Sequence, residues 1–399
     1  MNHNMNVLFY TVSDVSPQKG GTERITNTIC TYLSYKLGVN CYLAYKTDLD
    51  IKYRPSNIFK KKININESTT IHIIKQFLQE NQISAIVVQG SYTIIPNFRK
   101  AIQIYKLNSK LIFVHHFNPG AEICFNNLSQ KIIELKNSKG KNRIIKLIKL
   151  IQLPITILYY NIYVKYYYKK TYLLSDSIVL LSEKFIKGWS KITGIKNTAK
   201  YEIIPNALSF EEYFDMNEFN KKTKEVLIIS RLSEYQKRIF LALKIWAKIK
   251  TDQQLKNWKL RIIGDGIFKN EYIKYTQKNN IQDVIFEGLK TDVINYYKKG
   301  AIFFMTSRFE GWGLTITEAQ QMGVIPIAFN SYSSLSDIIY DGVNGFIIPN
   351  NDIKTFVKKA KSLMNDNEKR YEMAQNCIET SKRFAIEKIA LKWYNLLSK

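Results

Sequence analysis

A chain of 399 residues, 45% of them hydrophobic, is too long for one ordinary core and too apolar for general disorder, so two domains are expected. Its 59 Lys and Arg against 33 Asp and Glu leave a formal charge of +26, which favours anionic partners: nucleic acid, phosphorylated substrates or an acidic lipid surface. Cys30, Cys41, Cys124 and Cys377 are too scattered for a Cys-x-x-Cys or a zinc spacing, and buried, reduced thiols are expected.

The start, MNHNMNVLFYTVSD, has an apolar run too short for a signal peptide and no basic leader. Within it NVLFYTV (6–12) reads as a buried strand. A loop with Gly20 and Gly21 follows, with Thr22 as a candidate N-cap of the helix TERITNTICTYLSYKLG. Such glycines let backbone N–H groups approach an anion at a helix start. NCYLAYK, AIVVQG, KLIFVHHF and SIVLLS are further strands. TDLD supplies Asp48-x-Asp50, a pattern that can hold a metal, but it is short, common by chance and lies in a polar loop, and it is set aside. Residues 131–170 carry Lys131, Lys136, Lys139, Lys141, Arg143, Lys146, Lys149, Lys165, Lys169 and Lys170 against Glu134 alone, interleaved with Tyr and Ile. Their greasiest stretch, 147–170, is interrupted by Lys149, Gln152, Pro154 and Asn161 and falls short of the ~20 clean apolar residues of a spanning helix. It suits a helix lying on an anionic membrane, or core helices with solvated lysine edges.

After Pro205 the rhythm restarts with EVLIISRL, WKLRIIGDG, VIFEGL, AIFFMTS and VIPIAFN, with helical patterns such as RIFLALKIWAKIKT between most of them. Strands alternating with helices predict parallel sheets covered on both faces. Two such series predict an α/β chain of two Rossmann-like domains, 1–205 and 206–382. The closing segment, 383–399, is an amphipathic helix with Ile386, Ile389, Ala390, Trp393 and Leu396 or Leu397 on one stripe. It either packs back at the domain junction or closes the second domain.

In parallel sheets ligands sit beyond the C-terminal ends of the strands, so the loops there hold the candidates. His115 and His116 end KLIFVHH and, on a strand, point to opposite faces. Arg231 and Lys237 bracket a loop leading into a helix, where two cations oppose the macrodipole unless an anion lies between them. Gly264 and Gly266 follow another strand. In SRFEGWGLTITEAQQMG, Glu310 precedes the Gly311-Trp312-Gly313 turn and Glu318 lies about one turn into the next helix. The amides of Leu314 and Thr315 would meet a phosphate, with one carboxylate on either side for hydroxyl groups. A nucleotide-sugar has that shape.

Glu310-x7-Glu318, together with IIPNAL, ISRLSEYQKR, IIGDG, IFEGL, DGVNGFIIPNND and the N-terminal GGTER in this order, resembles the signature of family 4 glycosyltransferases. The likeness is close over the second domain and looser over the first. It implies a GT-B fold, with the two Rossmann-like domains facing each other across a deep cleft. It also implies a retaining, metal-independent hexosyltransferase that needs no cofactor. The positions that match the family pattern then take roles. Arg231 and Lys237 would neutralise the donor diphosphate, Glu318 would bind the ribose and Glu310 the transferred sugar. His116, just before FNPG, would face the donor sugar, with His115 and Asn206 as further candidates. Gly20, Gly21, Gly264, Gly266, Gly313, Leu314 and Thr315 would line the donor. The expected donor is a UDP-hexose or UDP-N-acetylhexosamine. The expected acceptor is a lipid-linked saccharide of a bacterial surface polysaccharide (O-antigen, capsule or lipopolysaccharide). The enzyme would sit in the cytoplasm, peripheral on the inner face of the membrane, with no nucleic acid as partner. A non-catalytic nucleotide-sugar binder and a basic nucleic-acid-binding protein are the alternatives.

Overall fold

A computed structural model of the chain describes residues 5–51, 53–65, 71–121, 128, 131–132, 135, 138 and 140–399. Cys124, Glu134, Lys136 and Lys139 lie outside them. The chain divides into two compact units, Met1–Ala207 with Ile386–Lys399, and Leu208–Ala385.

The first unit is built on seven parallel strands: β1 (Asn6–Ser13), β2 (Asn40–Thr47), β3 (Lys62–Asn64), β4 (Ala85–Gln89), β5 (Lys110–His115), β6 (Ser177–Leu180) and β7 (Tyr201–Ile203). Their spatial order is β3-β2-β1-β4-β5-β6-β7. Helices α1 (Gly21–Leu37), α2 (Ile71–Glu80), α3 (Ile95–Ile104), α4 (Gly140–Ile151), α5 (Leu153–Leu174) and α6 (Lys184–Thr193) make connections between strands. Strands β4 and β5 are buried almost throughout, as expected of a sheet covered on both faces. Tyr168, Phe113, Phe185 and Trp189 fill the core beside β5, and burying an apolar side chain of this size contributes about 1.5–3 kcal/mol. The C-terminal helix, Ile386–Ser398, buries Ile389, Ala390, Trp393, Leu396 and Leu397 and packs on α1. It therefore belongs to the first unit and does not close the second.

The second unit has six parallel strands: β8 (Glu225–Ile229), β9 (Lys259–Ile263), β10 (Val284–Gly288), β11 (Ile302–Met305), β12 (Ile325–Asn330) and β13 (Phe346–Pro349), ordered β10-β9-β8-β11-β12-β13. Helices α7 (Glu234–Lys237), α8 (Ile239–Ile249), α9 (Lys269–Lys278), α10 (Ile294–Lys299), α11 (Leu314–Gln321), α12 (Leu335–Ile338), α13 (Ile353–Asn365) and α14 (Asn367–Ser381) complete it. Both sheets run outwards from a central pair, β1 beside β4 and β8 beside β11, which is the doubly-wound order. At that pair successive crossovers leave in opposite directions and open a crevice at the strands' C-terminal ends. Lys222 locks the entry to the second unit. Its buried ammonium donates to the carbonyls of Gly300 at 2.9 Å, Met322 at 2.8 Å, Tyr297 at 3.2 Å and Lys298 at 3.3 Å.

Three short strands, β3, β7 and β13, escape the sequence patterns, and each has only three or four residues. Cys30, Cys41 and Cys377 are buried free thiols. No single helix among the described residues is long and apolar enough to cross a membrane.

Candidate active site

In the second unit the topology places the segments that follow β8 and β11 side by side, and these carry Lys237, at the end of α7, and Glu310. The ammonium of Lys237 donates to the Glu310 carboxylate at 2.5 Å, with only 15% and 11% of the two side chains exposed. The Glu310 turn is built around Gly313, whose φ of +95° is costly for any residue with a Cβ. A Cβ there would also lie 2.7 Å from the Tyr332 hydroxyl. Trp312 is buried edge-on to Phe384, with ring centroids 5.1 Å apart, and fixes the turn from below. Gly313 precedes the first turn of α11, so the amides of Leu314 and Thr315 lie at the helix's positive end. Glu318, in the same helix, is buried and accepts a hydrogen bond of 3.0 Å from the Tyr297 hydroxyl. It is not the surface residue that a plain amphipathic helix would carry.

Arg231 is exposed in the loop after β8 and donates to Gln236 at 3.3 Å. Lys237 differs from its expected place. It ends the single turn of α7, and α8 begins two residues later, after Arg238 in a left-handed conformation at φ +50°. The N-terminal amide of Phe240 is met by the Glu234 carboxylate at 3.0 Å, so part of the dipole cost read from the sequence is offset within the chain. Gly264 and Gly266 press on the loop after β8. A Cβ on Gly264 would collide with the Ser230 carbonyl, and one on Gly266 with the Leu232 carbonyl. The Leu232 amide donates to Asp265 at 2.8 Å, and this glycine-dependent contact holds the Arg231 loop in place.

Sequence reasoning missed the residues that hold the site together. Arg238 is buried and donates to the carbonyls of Thr306 at 2.5 Å and Ser307 at 2.8 Å, and to Asn351 at 2.6 Å. Burial, with Arg308 nearby, lowers its guanidinium to about 10, which leaves it charged at neutral pH. The Thr306 hydroxyl donates to the Lys237 carbonyl at 2.9 Å. Together they tie the α7–α8 junction to the end of β11.

In the first unit β5 separates the two histidines. His115 points into the aromatic core, sharing hydrogen bonds with the hydroxyls of Tyr92 at 2.9 Å and Tyr168 at 3.4 Å. Burial and the neighbouring His116 push it down to about 3. His116 points the other way and lines a small hollow with Gln89, Asn206, Ile25 and Trp393. Its Nε2 lies 2.5 Å from Gln89 Oε1, which can only accept, so Nε2 carries the proton and Nδ1 is the acceptor. Burial pushes His116 down to about 4, so it is neutral at physiological pH. His116 and Asn206 are thus brought together, with Gln89 as the partner the sequence did not reveal.

Gly20 and Gly21 begin α1, and Gly20 takes the N-cap position expected of Thr22. The helix starts two residues earlier than a Thr22 cap would give, and Gly21 takes φ +53° at no steric cost. Ser13 donates to Glu23 at 2.6 Å across that loop, and Lys19 approaches Glu23 at 3.4 Å. Asp48 accepts from Asn64 at 3.4 Å.

Residues 209–383 match the family model of glycosyl transferases group 1. The match covers nearly the whole of the second unit, Leu208–Ala385. The chain is 26% identical over 234 residues to the amylovoran biosynthesis glycosyltransferase AmsD of Erwinia amylovora, covering 57% of this chain and 63% of that protein. It is 27% identical over 199 residues, 50% of this chain and 55% of the relative, to a Campylobacter jejuni protein. That protein is named GalNAc-alpha-(1->4)-GalNAc-alpha-(1->3)-diNAcBac-PP-undecaprenol alpha-1,4-N-acetyl-D-galactosaminyltransferase. These matches span between half and two thirds of the relatives' lengths. The crystal structure of Anabaena Alr3699/HepE in complex with UDP-glucose superposes with a TM-score of 0.68 at 16% identity, over 99% of this chain and 100% of that one. The two Rossmann-like units of the chain have the GT-B fold.

Proposed function

We propose that the chain is a retaining, metal-independent family 4 glycosyltransferase that moves a hexose or N-acetylhexosamine from a UDP-sugar to a lipid-linked saccharide. The observation that carries this reading is the close pairing of Lys237 with Glu310 at the β8–β11 crevice of the unit that matches group 1 glycosyl transferases. Arg231 and Lys237 bind the diphosphate, and Glu318, oriented by Tyr297, accepts from the ribose. Glu310 accepts from the transferred sugar. Neutral His116, with Asn206 beside it, serves the sugar and acceptor side together with the Gly20–Gly21 loop.

Breaking the bond between the anomeric carbon and the phosphate oxygen builds positive charge on the sugar and negative charge on the departing nucleotide. Fixed cations at the diphosphate stabilise that charge before the reaction starts, which is where preorganised electrostatics contribute most. The acceptor hydroxyl attacks the same face that the nucleotide leaves, and the leaving phosphate takes its proton. Glu310 is not assigned as a nucleophile.

The lipid-linked acceptor and the N-acetylhexosamine follow the Campylobacter relative's name, and the UDP donor follows the Anabaena complex. The expected setting is bacterial surface polysaccharide synthesis at the inner face of the cell membrane. Calorimetric titration with UDP, GDP and ADP in EDTA tests the donor side. UDP should bind, and Arg231→Ala or Lys237→Ala should weaken it at least ten-fold. Absence of nucleotide binding beside tight, salt-sensitive binding to generic DNA would overturn the proposal.

A further inference from the structure

We propose that the bent helix pair α4–α5 is a membrane-docking surface that lies along one leaflet of an anionic bilayer without crossing it. This deepens the reading above, because a lipid-linked acceptor is presented at such a surface, but its test does not depend on turnover.

Helix α4 buries none of its residues. Ile144, Leu147, Ile148 and Ile151 follow the i, i+3, i+4, i+7 spacing of one helical face, and all four are between 46% and 71% exposed. Lys146 and Lys149 fall on the opposite side, with Lys141 and Arg143 at the flanks. Helix α5 is anchored by its C-terminal half, where Val164, Tyr168, Thr171 and Tyr172 are buried. Its other face exposes Ile155, Leu158, Tyr159, Ile162 and Tyr166. Each helix of the bent pair therefore leaves an apolar stripe in solvent, and a monomeric soluble protein rarely exposes so many large apolar side chains on adjoining helices.

The charge names the occupant. Residues 140–174 contain Lys141, Arg143, Lys146, Lys149, Lys165, Lys169 and Lys170 and no acid. Tyr159, Tyr163 and Tyr167 run along α5 with neighbouring ring centroids 5.9 and 4.4 Å apart, and Lys165, Lys169 and Lys170 lie in its C-terminal half. Exposed apolar side chains with tyrosines and cations on the same helix pair are the composition of a helix lying at the boundary between hydrocarbon and anionic headgroups. The two helices bend by 63° at their break, and neither alone is a spanning helix. Crossing would also bring Lys146 and Lys149 into hydrocarbon, whereas lying in the interface leaves them on the polar side.

Flotation of the full chain with vesicles of phosphatidylcholine and phosphatidylglycerol (about 70:30,) tests the surface, with pure phosphatidylcholine as control. Binding to the anionic vesicles is expected, and it should fall as salt rises. Each cation near such a surface contributes roughly five-fold to partition, so Lys141→Glu/Arg143→Glu/Lys149→Glu should weaken it on the order of a hundred-fold or more. Ile148→Asp/Ile155→Asp/Leu158→Asp changes exposed side chains only and should abolish it with the thermal melt unchanged. No binding by the unaltered chain, or binding indifferent to both triple variants, would overturn the proposal. So would a concentration-dependent dimer that the aspartate changes dissolve, since that would assign the face to a second copy. UDP titration of the same samples separates the two readings: intact nucleotide binding without flotation counts against the surface alone.

Discussion

Replacing Lys237 by Ala, alone and with Glu310→Ala, separates catalysis from stability at the paired site. At 2.5 Å and an effective dielectric of about 20, the gross attraction between the two charges is roughly 7 kcal/mol. Desolvation of two largely buried groups offsets most of it, and the net loss on removing one partner of such a pair is about 2–3 kcal/mol, below the fully buried range because both side chains keep some solvent contact. Lys237→Ala leaves the Glu310 carboxylate without this partner and should cost that amount in urea denaturation. The double variant should recover much of it, giving a coupling energy of about 2 kcal/mol between the positions. Turnover should behave differently. Losing a cation that stabilises the leaving diphosphate costs about 10²–10³ in kcat, and the double variant should be no faster than the single one. A double variant that regains both stability and activity would refute the roles given to these residues. So would single variants whose activity falls only in step with their folded fraction.

Gly264→Ala should cost several kcal/mol, on the order of 3 or more, because the new Cβ meets the Ser230 carbonyl at a φ of +140°. Any folded fraction should bind UDP weakly by calorimetry, since the displaced loop carries Arg231. Lys222→Met should lower the urea midpoint by an amount equivalent to about 2–4 kcal/mol, as four buried carbonyls lose their donor. The buried histidines should destabilise the fold in acid. Their folded values lie below the unfolded value of about 6.5, so the unfolded chain binds more protons and stability falls as pH drops from about 6.5 towards 4. Between pH 6.5 and 4.5 the loss should be roughly 2 kcal/mol per histidine, and His115→Phe should flatten the slope. A urea midpoint that stays constant over that range would contradict their burial as neutral rings.

Much of the architecture was legible because a parallel sheet buried on both faces leaves near-continuous apolar runs, such as VLFY after Asn6 and IFFM before Thr306. The short edge strands were not, since three residues such as Tyr201–Ile203 carry too little pattern to separate from a loop. Glu310, Gly313 and Glu318 stood out because an acid-glycine turn before a helix has little structural reason to exist. Arg238 was hidden among 59 cations, and nothing in YQKRIF signals that this one is buried with a left-handed backbone. His115 and His116 were separable only as opposite faces of a strand. Which face met the aromatic core depended on Tyr92, Tyr168 and Trp189, which are distant in sequence. Thr22 lost the cap to Gly20 because glycine at position 21 allows the helix to start earlier.

The most direct measurement is sugar transfer by the purified full chain. It would be incubated in EDTA with UDP-, GDP- and ADP-sugars and a lipid-diphosphate-sugar acceptor, beside Glu310→Ala. Release of UDP from one donor, with the sugar appearing on the lipid and both lost in the variant, is the expected result. Full transfer by Glu310→Ala, or no transfer from any donor, would contradict the assignment of this site to glycosyl transfer.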